Sequence, residues 1–483
     1  MRLPPRLVLA LLLLAAIAPW LTQAQQPGPT LTYIPGSSAK VYQINGDCDW
    51  PEWDATIAKP HPTCAPTFSQ TAANADILGD DVGSSFESNG QLIMTFGDTI
   101  GADSTYSPAW TSVYNPYLWQ AHDPIGYSTT RRAEDGLRID FTPMDGHAQE
   151  VLPTNQPDGN PVSMGADDVP DGGINLNGQI YLSVKTGTTT DSSGNHSQNS
   201  DYNVLVKYDE AAQTFTSGRT ISSSPDGHFV TSAFYQPSDD DWDRDHFGSK
   251  RDVVIFGVGL YRGSNIYLST IPANHFESGV DSHGNSATRY LSGWDHGWPK
   301  WSQHESDAVP IVTDIDPANP TVGNISAFYS RELGLWLMTF DSFNKAQPTT
   351  NGAYLTYAQH PWGPWAKPQQ IFNSCRDHAL GTFMRYHYAT AALNTCPAAM
   401  PPGNTATSGS SGPAGPTIGN QTKNDPQTTR GGEYAPLMIE RFTEVEDNKL
   451  KIFYTLSTWN PYAVVLMESD FNIDREWPHD WDR

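Results

Sequence analysis

Helical periodicity is almost missing from this 483-residue sequence, and so are basic residues, cysteine and, after the first 24 positions, long apolar runs. Each shortage excludes something. The 28 Lys and Arg stand against 53 Asp and Glu, a formal charge of −25, which opposes binding to nucleic acid or an anionic membrane. No later stretch is long enough for a membrane-spanning helix. HExxH, GxSxG, Walker and phosphate-cradling glycine motifs do not occur, so zinc peptidase, serine-elbow hydrolase and nucleotide chemistry have no sequence support. No metal and no cofactor is expected. What the chain does have is carboxylates, 15 Trp and 21 Tyr.

The first residues set the expected compartment. Arg2 and Arg6 precede the apolar "LVLALLLLAAIA", and "TQA" ends at Ala24 as a small-residue cleavage site. Residues 1–24 therefore read as a signal peptide, and the protein as secreted and extracellular; a type II membrane anchor is the alternative. Four cysteines suit an oxidising compartment. Their spacing favours the pairs Cys48–Cys64 and Cys375–Cys396, although sequence alone permits three connectivities. Asn195, Asn324 and Asn420 open glycosylation sequons.

The stretch "DDVGSSFESNGQLIMTFGDT", residues 80–99, reads as a β-hairpin. Asn89-Gly90 is a strong type I′ turn signal, because both central residues need positive φ. A two-residue loop there pairs Ser88 with Gln91 and, carried down the ladder, Asp81 with Asp98. The two carboxylates would then face each other with Cβ atoms about 4.5–5.5 Å apart. Like charges so placed push one pKa up. A bulge would shift that register.

Four further segments echo this hairpin: "VPDGGINLNGQIYLSVKTG" from Val169, "DVVIFGVGLYRGSNIYLSTIP" from Asp252, "ISAFYSRELGLWLMTFDSF" from Ile325 and "YAPLMIERFTEVEDNKLKIFYTLSTW" from Tyr434. Each is a strand, a turn and a second apolar strand. The spacing leaves room for four strands per unit, and apolar residues on both strand faces suit blades packed face to face. The expected fold is all-β, a five-bladed β-propeller forming one domain over residues 25–483. A two-sheet sandwich is the alternative. The polar stretch 188–201 reads as an exposed loop, and 397–432, rich in Pro, Gly, Ser and Thr, as a disordered insertion between blades four and five.

In a propeller the first strand of each blade lies nearest the axis, so early-strand side chains converge on one mouth. Asp81, Asp98, Asp168 and Asp171 open such strands or end their partners. Converging carboxylates suit glycoside hydrolysis, one as acid and one as base or nucleophile. Capping of turns and backbone amides is the plainer role for the same aspartates. Arg262, Tyr434, Trp459 and Tyr462 are candidate substrate-binding residues, since apolar sugar faces stack on aromatic rings; Trp362 and Trp365 of "WGPW" read as core. "DDDWDRDHF" (239–247) lacks the glycine and distal glutamate of a calcium loop and reads as solvated. A glycosidase, a lectin-like carbohydrate-binding propeller and a rigid interaction scaffold are the competing functions; facing acids favour the first. The expected partner is a polysaccharide and the expected state a monomer.

The segments "GDDVGSSFESNGQLIMTFGDT", "VIFGVGLYRGSNIYLS", "LGLWLMTFD", "WGPW" and "LKIFYTLSTWNPYAVVLM" together resemble the domain-of-unknown-function family 4185, from about Ala75 to Asn472. Members of that family have been placed in glycoside hydrolase family 183, the endo-D-arabinanases. The resemblance implies a five-bladed propeller that cleaves within the α-linked D-arabinofuranose chains of mycobacterial cell walls. The family's acidic position before a valine or leucine and a glycine falls on Asp81, and its "GDT" aspartate on Asp98. The second blade departs from the pattern, because "VPDGG" carries Asp171 where the family is usually uncharged.

Overall fold

The computed structural model describes residues 28–49, 65–101, 123–141, 143–144, 147–157, 159, 161–165, 167–190, 196–238, 252–316, 318–344, 348–377, 379–380, 382–384, 386–387, 410–411, 432–458 and 461–475. The expected signal peptide, Cys64, Cys396, Asn195, Asn420, Trp459, residues 239–247 and nearly all of 397–432 lie outside these residues.

Five antiparallel sheets follow one another along the chain. Their first strands are Ile77–Ser88, Val169–Leu176, Thr231–Tyr235, Val322–Ser330 and Glu433–Met438. Each first strand touches the next, and the fifth returns to the first, so the five close a ring about one axis. This is the five-bladed propeller. Blade five is finished by the start of the chain: Thr30–Tyr33 and Ala39–Gln43 both pair with Ala463–Asp474.

The core consists of five layers, one between each pair of neighbouring blades, and this explains the apolar character of both strand faces. Leu92, Met94 and Phe96 point into the layer shared with blade five, whereas Ile93 points into that shared with blade two. Because successive strand residues face opposite sides, a strand sandwiched between two blades needs apolar residues at both parities. Trp362 is buried in the layer between blades three and four, and Trp365 packs against it, as expected of core residues.

Two expectations need correcting. The third echo is out of phase: Asp252–Val258 and Ile266–Pro272 are the second and third strands of blade three, whose first strand is Thr231–Tyr235. The hairpin register holds from Ser88↔Gln91 to Ser84↔Thr95, and then a bulge intervenes, so that Asp81 pairs with Gly97 and not with Asp98. The residues left over are Val82 and Gly83, both left-handed, with φ of 62° and 68°. The same bulge recurs at the same level in blades four and five, between Val322 and Ile325 and between Tyr434 and Leu437, and a one-residue form in blade two leaves out Asp171. Part of the loop at 188–201 is ordered as a short ribbon pairing Thr189–Thr190 with His196–Ser197.

Candidate active site

The bulges lie where the first strands begin and the second strands end, and every blade sends polar side chains into the axial mouth at that level. Blade one supplies Asp81 and Asp98, with Asp123 ahead of its third strand. Blade two supplies Asp167, Asp168, Asp171, Lys185 and Asp201; blade three Tyr261 and Arg262; blade four Asn324 and Asp341; blade five Tyr434 and Tyr462. The mouth therefore gathers Asp81, Asp98, Asp171, Arg262, Tyr434 and Tyr462 of the predicted set.

Asp81 is 7% exposed, and its two oxygens differ. Oδ2 accepts a hydrogen bond of 2.8 Å from the Tyr434 hydroxyl, while Oδ1 has no hydrogen-bond partner among the described residues. Burial pushes this carboxyl up to about 6, against the hydrogen bond from Tyr434 that favours its charged form. Gly97 leaves room for it, since a Cβ there would lie 2.7 Å from Asp81 Oδ1 and 2.4 Å from Val169 Cγ1.

Asp98 is engaged differently. Both its oxygens accept from the backbone N–H of Asp167, at 3.1 and 3.2 Å, and its own N–H donates to Asp123 Oδ1 at 2.7 Å. Burial, then the charges of Asp81, Asp167 and Asp123, hold its carboxyl well above the usual carboxylate range. It ties blade one to blade two at the wall of the mouth.

Asp171, on the bulge of blade two, accepts from Asn324 Nδ2 at 3.4 Å through Oδ1, while Oδ2 has no hydrogen-bond partner among the described residues. Burial raises its carboxyl to about 7, opposed by Lys185 and by a hydrogen bond from Thr231. Lys185 is itself buried, 3.9 Å from Asp201, and the surrounding Asp171, Asp167, Asp201 and Asp168 outweigh burial and keep it charged. Asn324 was read as a glycan acceptor; it is buried, and its amide nitrogen points at Asp171, which leaves no room for a sugar.

Arg262 stands in the loop joining the second and third strands of blade three. Its guanidinium lies 4.8 Å from the Tyr261 ring centre, 4.7 Å from Phe343 and 5.9 Å from Tyr434. Asp341 opposes it electrostatically; burial lifts that carboxyl to about 6 against Arg262 and the backbone N–H groups of Asn324 and Ala435. Arg262 Nε and Asp341 Oδ2 are buried without hydrogen-bond partners among the described residues. The mouth thus presents unsatisfied groups from four blades: Asp81 Oδ1, Asp171 Oδ2, Arg262 Nε and Asp341 Oδ2. Each is expensive to bury empty, and together they form a lining that hydroxyl groups can satisfy.

Asp341, Lys185 and Tyr261 were missed from sequence. A signal existed for the first two: the echoes end "TFGDT", "SVKTG" and "TFDSF", which places Asp98, Lys185 and Asp341 at matching ends of second strands. No group of three or more His, Cys, Asp or Glu side chains among the described residues is arranged to hold a metal ion.

The family described as "Domain of unknown function (DUF4185)" matches residues 67–468. No curated protein matches the chain. Among solved structures, the chain is similar to an endo-1,5-α-L-arabinanase from Thermotoga petrophila RKU-1, at 9% identity and a TM-score of 0.38, covering 82% of this chain and 72% of that one. It is similar to an exo-β-1,3-galactanase from Phanerochaete chrysosporium, at 10% identity and a TM-score of 0.33, over 62% of this chain and 52% of that one. The Trypanosoma rangeli sialidase matches at 9% identity and a TM-score of 0.36, over 91% and 54%. The chain spans about half the length of the last two. These likenesses are too distant to speak to substrate.

Proposed function

We propose a function from the premise that the chain belongs to the DUF4185 family, whose match covers most of its length: it is a secreted glycoside hydrolase acting within furanoside polysaccharide, D-arabinan being the first candidate. The observation that carries the reading is the pair of buried carboxyls on neighbouring blades, Asp81 and Asp171, each with one oxygen that has no hydrogen-bond partner among the described residues. Environment separates their roles. Asp81, at about 6, is largely ionised at neutral pH and serves as base or nucleophile. Asp171, at about 7, holds a proton for the leaving oxygen. Asp98, with both oxygens on the Asp167 amide, positions the wall. Arg262, Tyr434 and Tyr462 line the sugar site, and Trp459, which lies outside the described residues, is proposed as a further substrate-binding residue.

A lectin needs aromatics and amides but not two buried carboxyls on neighbouring blades, which favours hydrolysis over mere binding. The test is reducing-end release from D-arabinan, L-arabinan and arabinogalactan. Asp81→Asn should lower turnover by about 10²–10⁴-fold, the contribution of a positioned acid–base group, with melting little changed. Full activity in that variant, or no release from any furanoside by the parent, refutes the assignment. The proposal includes export through the signal peptide and the disulfides Cys48–Cys64 and Cys375–Cys396, which peptide mapping without reduction will check.

A further inference from the structure

Twelve residues other than glycine have left-handed backbone among the described residues. Seven have local reasons. Gln70 and Asp76 flank the short helix Thr71–Ala75, and Asn89, Asn177, Gln213, His296 and Asp447 sit in hairpin turns. The remaining five, Val82, Asp98, Asp167, Arg262 and Ala435, all stand at the mouth. Val82 alone is β-branched, and for such a residue a φ of 62° is strained, because the branched Cβ crowds the adjacent carbonyl. Strain of this kind persists only where the surroundings enforce it, and it gathers at functional sites.

The surroundings of Val82 are specific. It is 3% exposed and shares one small apolar cluster with Val169, Tyr434, Ala435, Leu437 and Tyr462. That cluster contains Tyr434, whose hydroxyl bonds Asp81, the residue just before Val82 in the chain. The bulge also carries Gly83, where a Cβ would lie 2.9 Å from Val464 Cγ1, so the turn is pressed against blade five. Backbone and side chain of one residue thus act on the same carboxylate from two directions.

We propose that Val82 is a positioning residue of the mouth: its left-handed backbone turns the Asp81 carboxylate towards the axis, and its side chain wedges Tyr434 against that carboxylate. The inference rests on Asp81 being the reacting carboxylate, but its test does not need turnover. Val82→Ala keeps the backbone course and removes the wedge. The Tyr434 hydrogen bond then weakens, and the charged form of Asp81 loses support.

The measurement is an infrared titration of the Asp81 carboxylate, taken as the difference between each protein and the same protein carrying Asp81→Asn. In Val82→Ala the midpoint should rise by about one pH unit, the equivalent of a tenfold change in proton affinity. Val82→Ile, which keeps the branched bulk, should stay at the parental value. Ile93→Val, a core truncation in the layer between blades one and two, should lower the melting temperature without moving the midpoint. Where Val82→Ala does not accumulate as folded protein, Val82→Gly, which removes the same side chain and adopts positive φ without strain, should show the same upward shift. An unmoved midpoint in the folded variant overturns the proposal and assigns Val82 to packing alone. If the protein hydrolyses furanosides, the acid limb of kcat/KM should move with the midpoint while the alkaline limb stays; if it hydrolyses none, the titration still decides.

Discussion

Tyr434→Phe is the cleanest perturbation of the mouth, because it deletes one oxygen and leaves the ring that packs beside Val82 and Arg262. The lost contact is the 2.8 Å hydrogen bond to Asp81 Oδ2. A hydrogen bond to a charged group contributes about 1.5–3 kcal/mol, and about 1.4 kcal/mol corresponds to one pKa unit. Removing it should raise Asp81 by about one to two units. The lower end of that range moves Asp81 from about 6 to about 7. Asp171 already sits at about 7, so the two limbs of the kcat/KM profile should nearly meet. At pH 5 the rate constant should fall by about tenfold, whereas at its new maximum it should fall by only about twofold to threefold. The assay is initial rate against pH on the best furanoside substrate, with melting recorded in parallel. An acid limb that does not move refutes the reasoning, and so does a uniform loss at every pH, which would mean that Tyr434 acts through substrate contact alone.

Stability should also depend on pH, in an unusual direction. Asp81, Asp171, Asp201 and Asp341 all have folded-state values raised to about 6 or 7, above the ordinary value near 3.9. Stability from such groups is complete below about pH 4 and is lost as pH rises through about 6 to 7. The melting temperature should therefore be higher at pH 5 than at pH 7.5, and Asp171→Asn should recover part of the difference at pH 7.5; a flat profile over this window refutes the reasoning. Gly97→Ala should displace Asp81 and Val169, costing about 1–3 kcal/mol as overpacking does and lowering turnover more than that loss implies. Melting and kinetics identical to the parent would show that the strand can shift at no cost.

Much of the fold was legible because a propeller writes itself in the sequence as recurring turns between doubly apolar strands. Asn89-Gly90 fixed the ladder correctly from Ser88↔Gln91 to Ser84↔Thr95. The register failed at Val82, since nothing in a valine announces positive φ; Gly83 was the one local hint. Blade three was misphased because its first strand, "TSAFY", is short and stands apart from the second. The site was legible where a carboxylate opened an echo, at Asp81 and Asp171. It was illegible where function depends on which blades meet, as with Asn324, a sequon by sequence and a bridge from blade four to Asp171 by structure.

The closing of blade five by Thr30–Tyr33 and Ala39–Gln43 fixes when the mouth can exist. Their partner strand, Ala463–Asp474, leaves the ribosome more than 400 residues later. Tyr434, which supports Asp81, belongs to the same late-made blade. A nascent chain therefore has carboxylates but no assembled centre until its final strands arrive, and translation is separated from activity by the geometry of the ring. The same closure allows the order of the chain to be cut differently: with Thr30 paired to Asp474 in one sheet, joining the segments beyond them and opening the chain between two other blades would keep every strand pairing. A fragment lacking any single blade would keep most of its core and lose the mouth entirely.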